Sequence, residues 1–261
     1  MNRIEDYSKL KFDIDKWIKD YYYFHGIQSL VVGVSGGIDS AVVSTLCAKT
    51  GLPTYVVRMP LDSSHQNTRL SDLHAQYLAD TYDNVTNVQV ELSSVYDSLF
   101  HSINWWSEAQ QFDKKEFTSD ELANANTKSR IRMVTLYQIA GAKKGIVVGT
   151  GNKVEDYGIG FYTKYGDGGV DIATIADLYK TEVWELGKRL GVDERIINAL
   201  PTDGLWDDDR KDEDQIGASY EQLEEAMEYR RGPALDILDE FNRKNKHKME
   251  PIPTFKLEKL S

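Results

Sequence analysis

Residues Val31-Val32-Gly33-Val34-Ser35-Gly36-Gly37-Ile38-Asp39-Ser40 join an apolar, β-branched run to a Ser-Gly-Gly turn, and a helical segment from Ala41 to Ala48 follows. A strand that feeds a helix through such a turn holds anions, because free N–H groups and the positive end of the helix dipole point into it. Two glycines let the backbone approach a phosphate with no Cβ in the way. Ser35 and Ser40 add hydroxyls, while the Asp39 carboxylate repels phosphate unless a cation lies between them. That combination suggests a magnesium–nucleotide complex. The Walker pattern Gly-x-x-x-x-Gly-Lys-Ser/Thr is absent. Ser-Gly-Gly by itself is equally a ligand-free turn; Asp39-Ser40 and the preceding strand are what point to phosphate.

The segments that must position this loop alternate between strand-like and helix-like. They predict an α/β fold: a doubly wound, mainly parallel sheet with helices on both faces. Strands are expected at Ser29 to Val34, Pro53 to Arg58, Asn87 to Glu91 and Gly145 to Gly149. Most lack polar alternation, as expected when both faces are covered. Leu70, Leu73, Tyr77 and Leu78 recur at helical spacing, and Ile131, Val134, Tyr137 and Gln138 predict a shared stripe on a long helix within Ser119 to Lys144. Right-handed crossovers then bring the carboxyl ends of the strands, with the Ser35 loop, to one edge. Past Gly149 the chain is rich in glycine (Gly151, Gly158, Gly160, Gly166, Gly168, Gly169) and in charge (Glu155, Asp156, Lys164, Asp167, Asp171), the composition of a binding loop. A helix carrying Val183, Leu186 and Leu190 ends at Gly191. One compact domain spanning 1–261 with a helical C-terminal extension is the expected organisation.

With 41% hydrophobic and 28% charged residues over 261 positions, the composition is that of a globular protein rather than a disordered one. No apolar run is long enough to cross a membrane, and Met1 to Leu10 lacks the core of a signal peptide, so the cytoplasm is the expected location. The single Cys47 excludes an internal disulfide and a multi-cysteine metal site. A net charge of −11 argues against a nucleic-acid partner. The charge is uneven: Asp203 to Asp214 is acidic, whereas Arg243 to Lys248 is basic. The basic cluster reads either as a solvated helix end or as a contact for an anionic ligand.

The Ser35 loop resembles the pyrophosphate loop of the ATP pyrophosphatases, whose fold is that of the adenine nucleotide alpha hydrolase-like group. Further segments resemble one branch of these enzymes, the NAD synthetases. They are Arg130-Ile131-Arg132-Met133, Gly149-Thr150-Gly151-Asn152-Lys153-Val154-Glu155, the run from Phe161 to Gly169 with Asp171, Lys180, and Pro201-Thr202. Thr163-Lys164-Tyr165-Gly166-Asp167-Gly168-Gly169 is the most specific of them.

The resemblance implies an ammonia-dependent NAD synthetase, a ligase of NAD biosynthesis. The nicotinate carboxylate of deamido-NAD attacks the α-phosphate of ATP, releasing pyrophosphate, and ammonia then displaces AMP. It further implies that Gly33, Val34, Ser35, Gly36, Gly37, Ile38, Asp39 and Ser40 bind ATP together with Arg58, Thr150, Lys180 and Thr202. Asp39 and Glu155 would hold Mg2+, with Lys180 as a catalytic cation. Arg130, Lys164, Asp171, His247 and Lys248 would contact deamido-NAD, and a homodimer is expected. Only ~30 residues precede the first strand, too few for the glutaminase domain of the two-domain members, so free ammonia or a separate partner is the expected nitrogen source.

The chain departs from the pattern in places. Gly151 stands where many members have Asp, Asn152-Lys153-Val154 replaces a stretch that often carries Ala, and the segment from Glu155 to Lys164 is one residue longer than in common bacterial members. Other enzymes with the loop, such as GMP synthetase, argininosuccinate synthetase and tRNA-modifying adenylases, lack the Thr163 to Gly169 run. A non-catalytic nucleotide sensor would be expected to lack a metal carboxylate, yet Asp39 and Glu155 are both present.

Overall fold

The computed structural model describes residues 3–61, 65–110, 112–113, 117–201 and 212–257. Five parallel strands, β1 (Ser29–Gly33), β2 (Thr54–Arg58), β3 (Val85–Gln89), β4 (Gly145–Gly149) and β5 (Ile172–Ala173), form a sheet in the order β3-β2-β1-β4-β5. The order reverses between β1 and β4, where a ligand crevice opens at the carboxyl ends of an α/β sheet.

Leu30, Val31 and Val32 are all fully buried because successive side chains enter opposite layers. Leu30 and Val32 join α1 (Tyr7–Phe24), α2 (Ile38–Lys49) and α6 (Lys180–Leu190) in one core. Val31, Val57 and Val147 meet Leu136, Ile139 and Ala140 of α5 (Glu121–Ala142) on the other face. α3 (His65–Thr81) packs Ala75 and Leu78 on Val56 and Val85. The doubly wound arrangement expected from sequence is therefore present.

Two details differ from expectation. β3 begins at Val85 rather than Asn87, because its register runs from Thr54 opposite Val85 to Arg58 opposite Gln89. The turn before it is pinned by Asn84, whose Nδ2 donates to the carbonyls of Ala48 and Leu52. On α5, Val134 and Gln138 face solvent instead of sharing a buried stripe. The helix is rotated so that Leu136, Ile139 and Ala140 reach the sheet, and Arg130 to Met133 lie in its middle.

Lys153–Ile159 form a wide π turn after β4, closed where the Gly160 N–H donates to the Glu155 carbonyl. The C-terminal helices α8 (Asp212–Ile216), α9 (Tyr220–Tyr229) and α10 (Leu235–Met249) follow the short α7 (Glu194–Ile197), and they pack on this turn. Asn242 and Asn245 of α10 donate to the Gly158 and Ile159 carbonyls, fastening it in place. α4 (Ser93–Ala109) completes the connection from β3 to α5. No described helix is long and apolar enough to cross a membrane.

Candidate active site

The Ser35 loop links β1 to the first turn of α2, whose N-cap is Gly37. Gly36 has φ +94°, in the region that favours glycine. The two serine hydroxyls shape the loop from within: Ser35 N–H donates to Ser40 Oγ (3.1 Å), Ser40 Oγ to the Gly37 carbonyl (3.0 Å) and Gly37 N–H to Ser35 Oγ (3.2 Å). The N–H groups at the start of α2 have no partner within the helix, the arrangement by which a helix N-terminus can take an anion.

Asp39, in that first turn, meets two residues from across the crevice. Lys180 Nζ lies 2.6 Å from Asp39 Oδ2 and 2.8 Å from Glu155 Oε1, with the lysine side chain only 3% exposed. Tyr220 OH donates to the same Glu155 oxygen at 2.6 Å, and Asn152 Nδ2 to Asp39 Oδ1 at 3.3 Å. Asn152 also caps the π turn by accepting from the N–H groups of Val154 and Glu155. Lys180 opens α6, where a helix dipole disfavours a cation; the two carboxylates offset this.

Burial pushes the Lys180 ammonium down, but Asp39 and Glu155 more than offset it, and its pKa rises well above the ordinary lysine value. Burial holds the Asp39 carboxyl above its ordinary value despite Lys180. At Glu155 burial also acts upward, yet the Lys180 charge and the hydrogen bonds from Lys180 and Tyr220 prevail and hold it below. Burial, with the negative charge of Asp167, Glu155 and Asp39, raises the Asp156 carboxyl well above the usual range.

One crevice is lined by Gly33 to Ser40, Thr150, Glu155 and Lys180, so the sequence-predicted loop, metal and lysine residues come together. No three acidic, His or Cys residues among those described form a metal cage. Asp39 and Glu155 nevertheless converge on the single point now taken by Lys180 Nζ. Two hard oxygen donors beside a phosphate loop fit Mg2+, which characteristically takes one or two carboxylates and completes its shell with phosphate and water.

Other sequence-predicted residues lie outside the crevice. Arg58 turns to Asp72, Asn87 and Gln89. Arg130, Lys164 and His247 are linked in series, Arg130 Nε donating to the Lys164 carbonyl (3.4 Å) and Lys164 Nζ to the His247 carbonyl (2.8 Å). Lys248 Nζ donates to the Tyr162 carbonyl nearby (2.9 Å). Asp171 stands apart just before β5, accepting from Tyr137 OH (3.0 Å) and from the N–H of Val147 in β4 (2.7 Å). Thr202 lies outside the described residues.

Sequence reasoning missed Tyr220 as a site residue, together with the crevice residues Arg132 and Asp156. Arg132 and Asp156 stand in or beside motifs quoted above, whereas Tyr220 carries no local signal; it follows the Ser219 cap like any first helical residue.

Residues 11–253 match the family model for NAD synthase. An NH(3)-dependent NAD(+) synthetase of Finegoldia magna is 33% identical over 256 residues, covering 97% of this chain and 98% of that protein. Among solved structures, an NMN synthetase from Francisella tularensis superposes with TM-score 0.85 at 28% identity, covering 97% of this chain and all of that one. An NH3-dependent NAD synthetase from Campylobacter jejuni gives 0.74 at 25% identity with the same coverage.

Proposed function

The chain belongs to the NAD synthase family, and on that footing we propose that it forms NAD from deamido-NAD, ATP and ammonia. The observation that carries this reading is the convergence of Asp39, Glu155 and Lys180 on a pyrophosphate loop at the sheet's switch point. A nicotinate carboxylate oxygen attacks the α-phosphorus of ATP, the bond to the β-phosphate breaks, and pyrophosphate leaves. Ammonia then adds to the activated carbonyl carbon, the C–O bond breaks, AMP leaves with that oxygen, and a proton is lost from nitrogen. Both steps need negative charge neutralised as it moves. The α2 N-terminus and Lys180 do this for the phosphates, with Gly33 to Ser40, Arg58, Thr150 and Thr202 as the ATP-binding set. Mg2+ held by Asp39 and Glu155 would supply further charge neutralisation. Arg130, Lys164, His247, Lys248 and Asp171 contact the nicotinate-bearing substrate.

Residues 1–261 act as one synthetase unit that takes ammonia directly. A homodimer is supported by exposed Leu99, Trp105 and Trp106 on α4 and Leu122 and Val134 on α5. A cytoplasmic setting accords with one buried, unpaired Cys47.

The closer superposition on an NMN synthetase favours a second reading, in which the substrate is nicotinate mononucleotide. Both candidates carry the same carboxylate, and comparison of kcat/KM for the two, each with ATP and ammonium, separates them; the first reading expects the dinucleotide to win. The activation step is tested with substrate labelled with 18O in both carboxylate oxygens. One label should appear in AMP and one should stay in the amide. Label in inorganic phosphate or pyrophosphate would overturn the adenylate.

A further inference from the structure

Gly151 and Asp156 fill one space between them. A Cβ built on Gly151 would lie 2.6 Å from Asp156 Oδ1 and closer still to Oδ2, so no side chain fits at 151 while the Asp156 carboxylate is in place. The π turn brings this about, since its wide coil carries Asp156 back over the β4 end, and α10 holds that coil through Asn242 and Asn245. Turns of this kind concentrate at functional sites.

The carboxylate so placed lines the crevice beside Gly151 and Thr150, and no described residue donates a hydrogen bond to it. Its charged neighbours include Asp167, Glu155, Asp39 and Lys180, with Lys248 also in range. Both lysines are already bonded, Lys180 to Asp39 and Glu155 and Lys248 to the Tyr162 carbonyl. Asp167 Oδ1 accepts from both Ser129 Oγ and Thr163 N–H. Among the described residues, Asp156 alone of these four carboxylates accepts no hydrogen bond at either oxygen.

We propose that Asp156 binds the ammonium co-substrate, its carboxylate accepting a hydrogen bond from the cation at the Gly151 edge of the crevice. The phosphates of the other reactants go to the α2 N-terminus and Lys180 in the same crevice, whereas ammonium brings the N–H donors and positive charge that an unbonded carboxylate takes. This inference rests on the amidation reading, and the wild-type protein tests that reading separately.

The experiment measures KM for ammonium chloride, ATP and the nicotinate substrate in wild type, Asp156→Asn, Asp156→Ala, Gly151→Ala and the double variant Gly151→Ala/Asp156→Ala. Asp156→Asn keeps the shape, and its ammonium KM should rise at least about tenfold, on the scale of one charge-assisted hydrogen bond. The other two constants should stay within about twofold on the same grounds. Gly151→Ala must displace the carboxylate and should copy that effect. In the Asp156→Ala background the same Gly151→Ala change should add nothing, as expected of residues coupled through one space. Circular dichroism on each variant separates loss of fold from loss of binding. An unchanged ammonium KM in Asp156→Asn would overturn the proposal, as would a rise confined to the nicotinate substrate or additive effects of the two alanines. If the wild type forms no amide at all, the underlying reading falls and this inference with it.

Discussion

Asp39→Asn and Glu155→Gln will each lower turnover by at least about a hundredfold while leaving the fold intact, the scale of removing one strong electrostatic element from a reaction centre. Both substitutions keep the side chain's shape. They take away the charge at the point where Asp39 and Glu155 converge, beside the phosphate loop. The loss should fall on kcat and on the magnesium dependence more than on KM for the nicotinate substrate, because these carboxylates act on the phosphates. Near-normal turnover in either variant, measured at saturating magnesium, would remove that residue from the metal site.

Lys180→Met will have a larger effect, because it acts on both stability and turnover. The lysine is buried between two carboxylates that are 17% and 15% exposed. Removing it leaves two negative charges facing each other without their partner, which costs about 3–5 kcal/mol for a buried pair. Tyr220 keeps its bond to Glu155, but a hydroxyl donor does not replace a charge. Urea unfolding should show the loss directly. Magnesium chloride should restore part of it in the variant, by binding the folded state between the freed carboxylates. Turnover should fall by at least about a hundredfold even when magnesium is saturating, since the lysine also serves the phosphates. Unaltered stability would mean that the ion-pair network is not what holds Asp39 and Glu155 in place.

The phosphate loop was legible in the sequence because its chemistry is local. A strand, a glycine turn and a helix start are contiguous there, and Asp39 falls in the first turn of α2. Strands β1, β2 and β4 were legible for a related reason: burial on both faces writes an unbroken β-branched run. β3 was displaced by two residues because its start depends on pairing with Thr54 and on the Asn84 turn, which are non-local. The inward face of α5 was misjudged because Val134 is apolar yet 62% exposed, so its hydrophobicity does not mark the side that meets the sheet. Tyr220 and Asp156 were missed for different reasons. Tyr220 reaches Glu155 from a helix 65 positions away, a meeting that only tertiary packing arranges. Asp156 sits next to a predicted ligand, but its direction depends on the π turn, and no spacing rule distinguishes that turn from an ordinary loop.

A crevice that joins a nicotinate carboxylate to AMP before amidation must release pyrophosphate and AMP rather than ADP. The most direct test incubates the pure protein with ATP, magnesium, deamido-NAD and ammonium, and resolves the nucleotides over time. NAD, AMP and pyrophosphate should accumulate in equal amounts, with none formed when glutamine replaces ammonium. Formation of ADP and inorganic phosphate in step with the amide would contradict this.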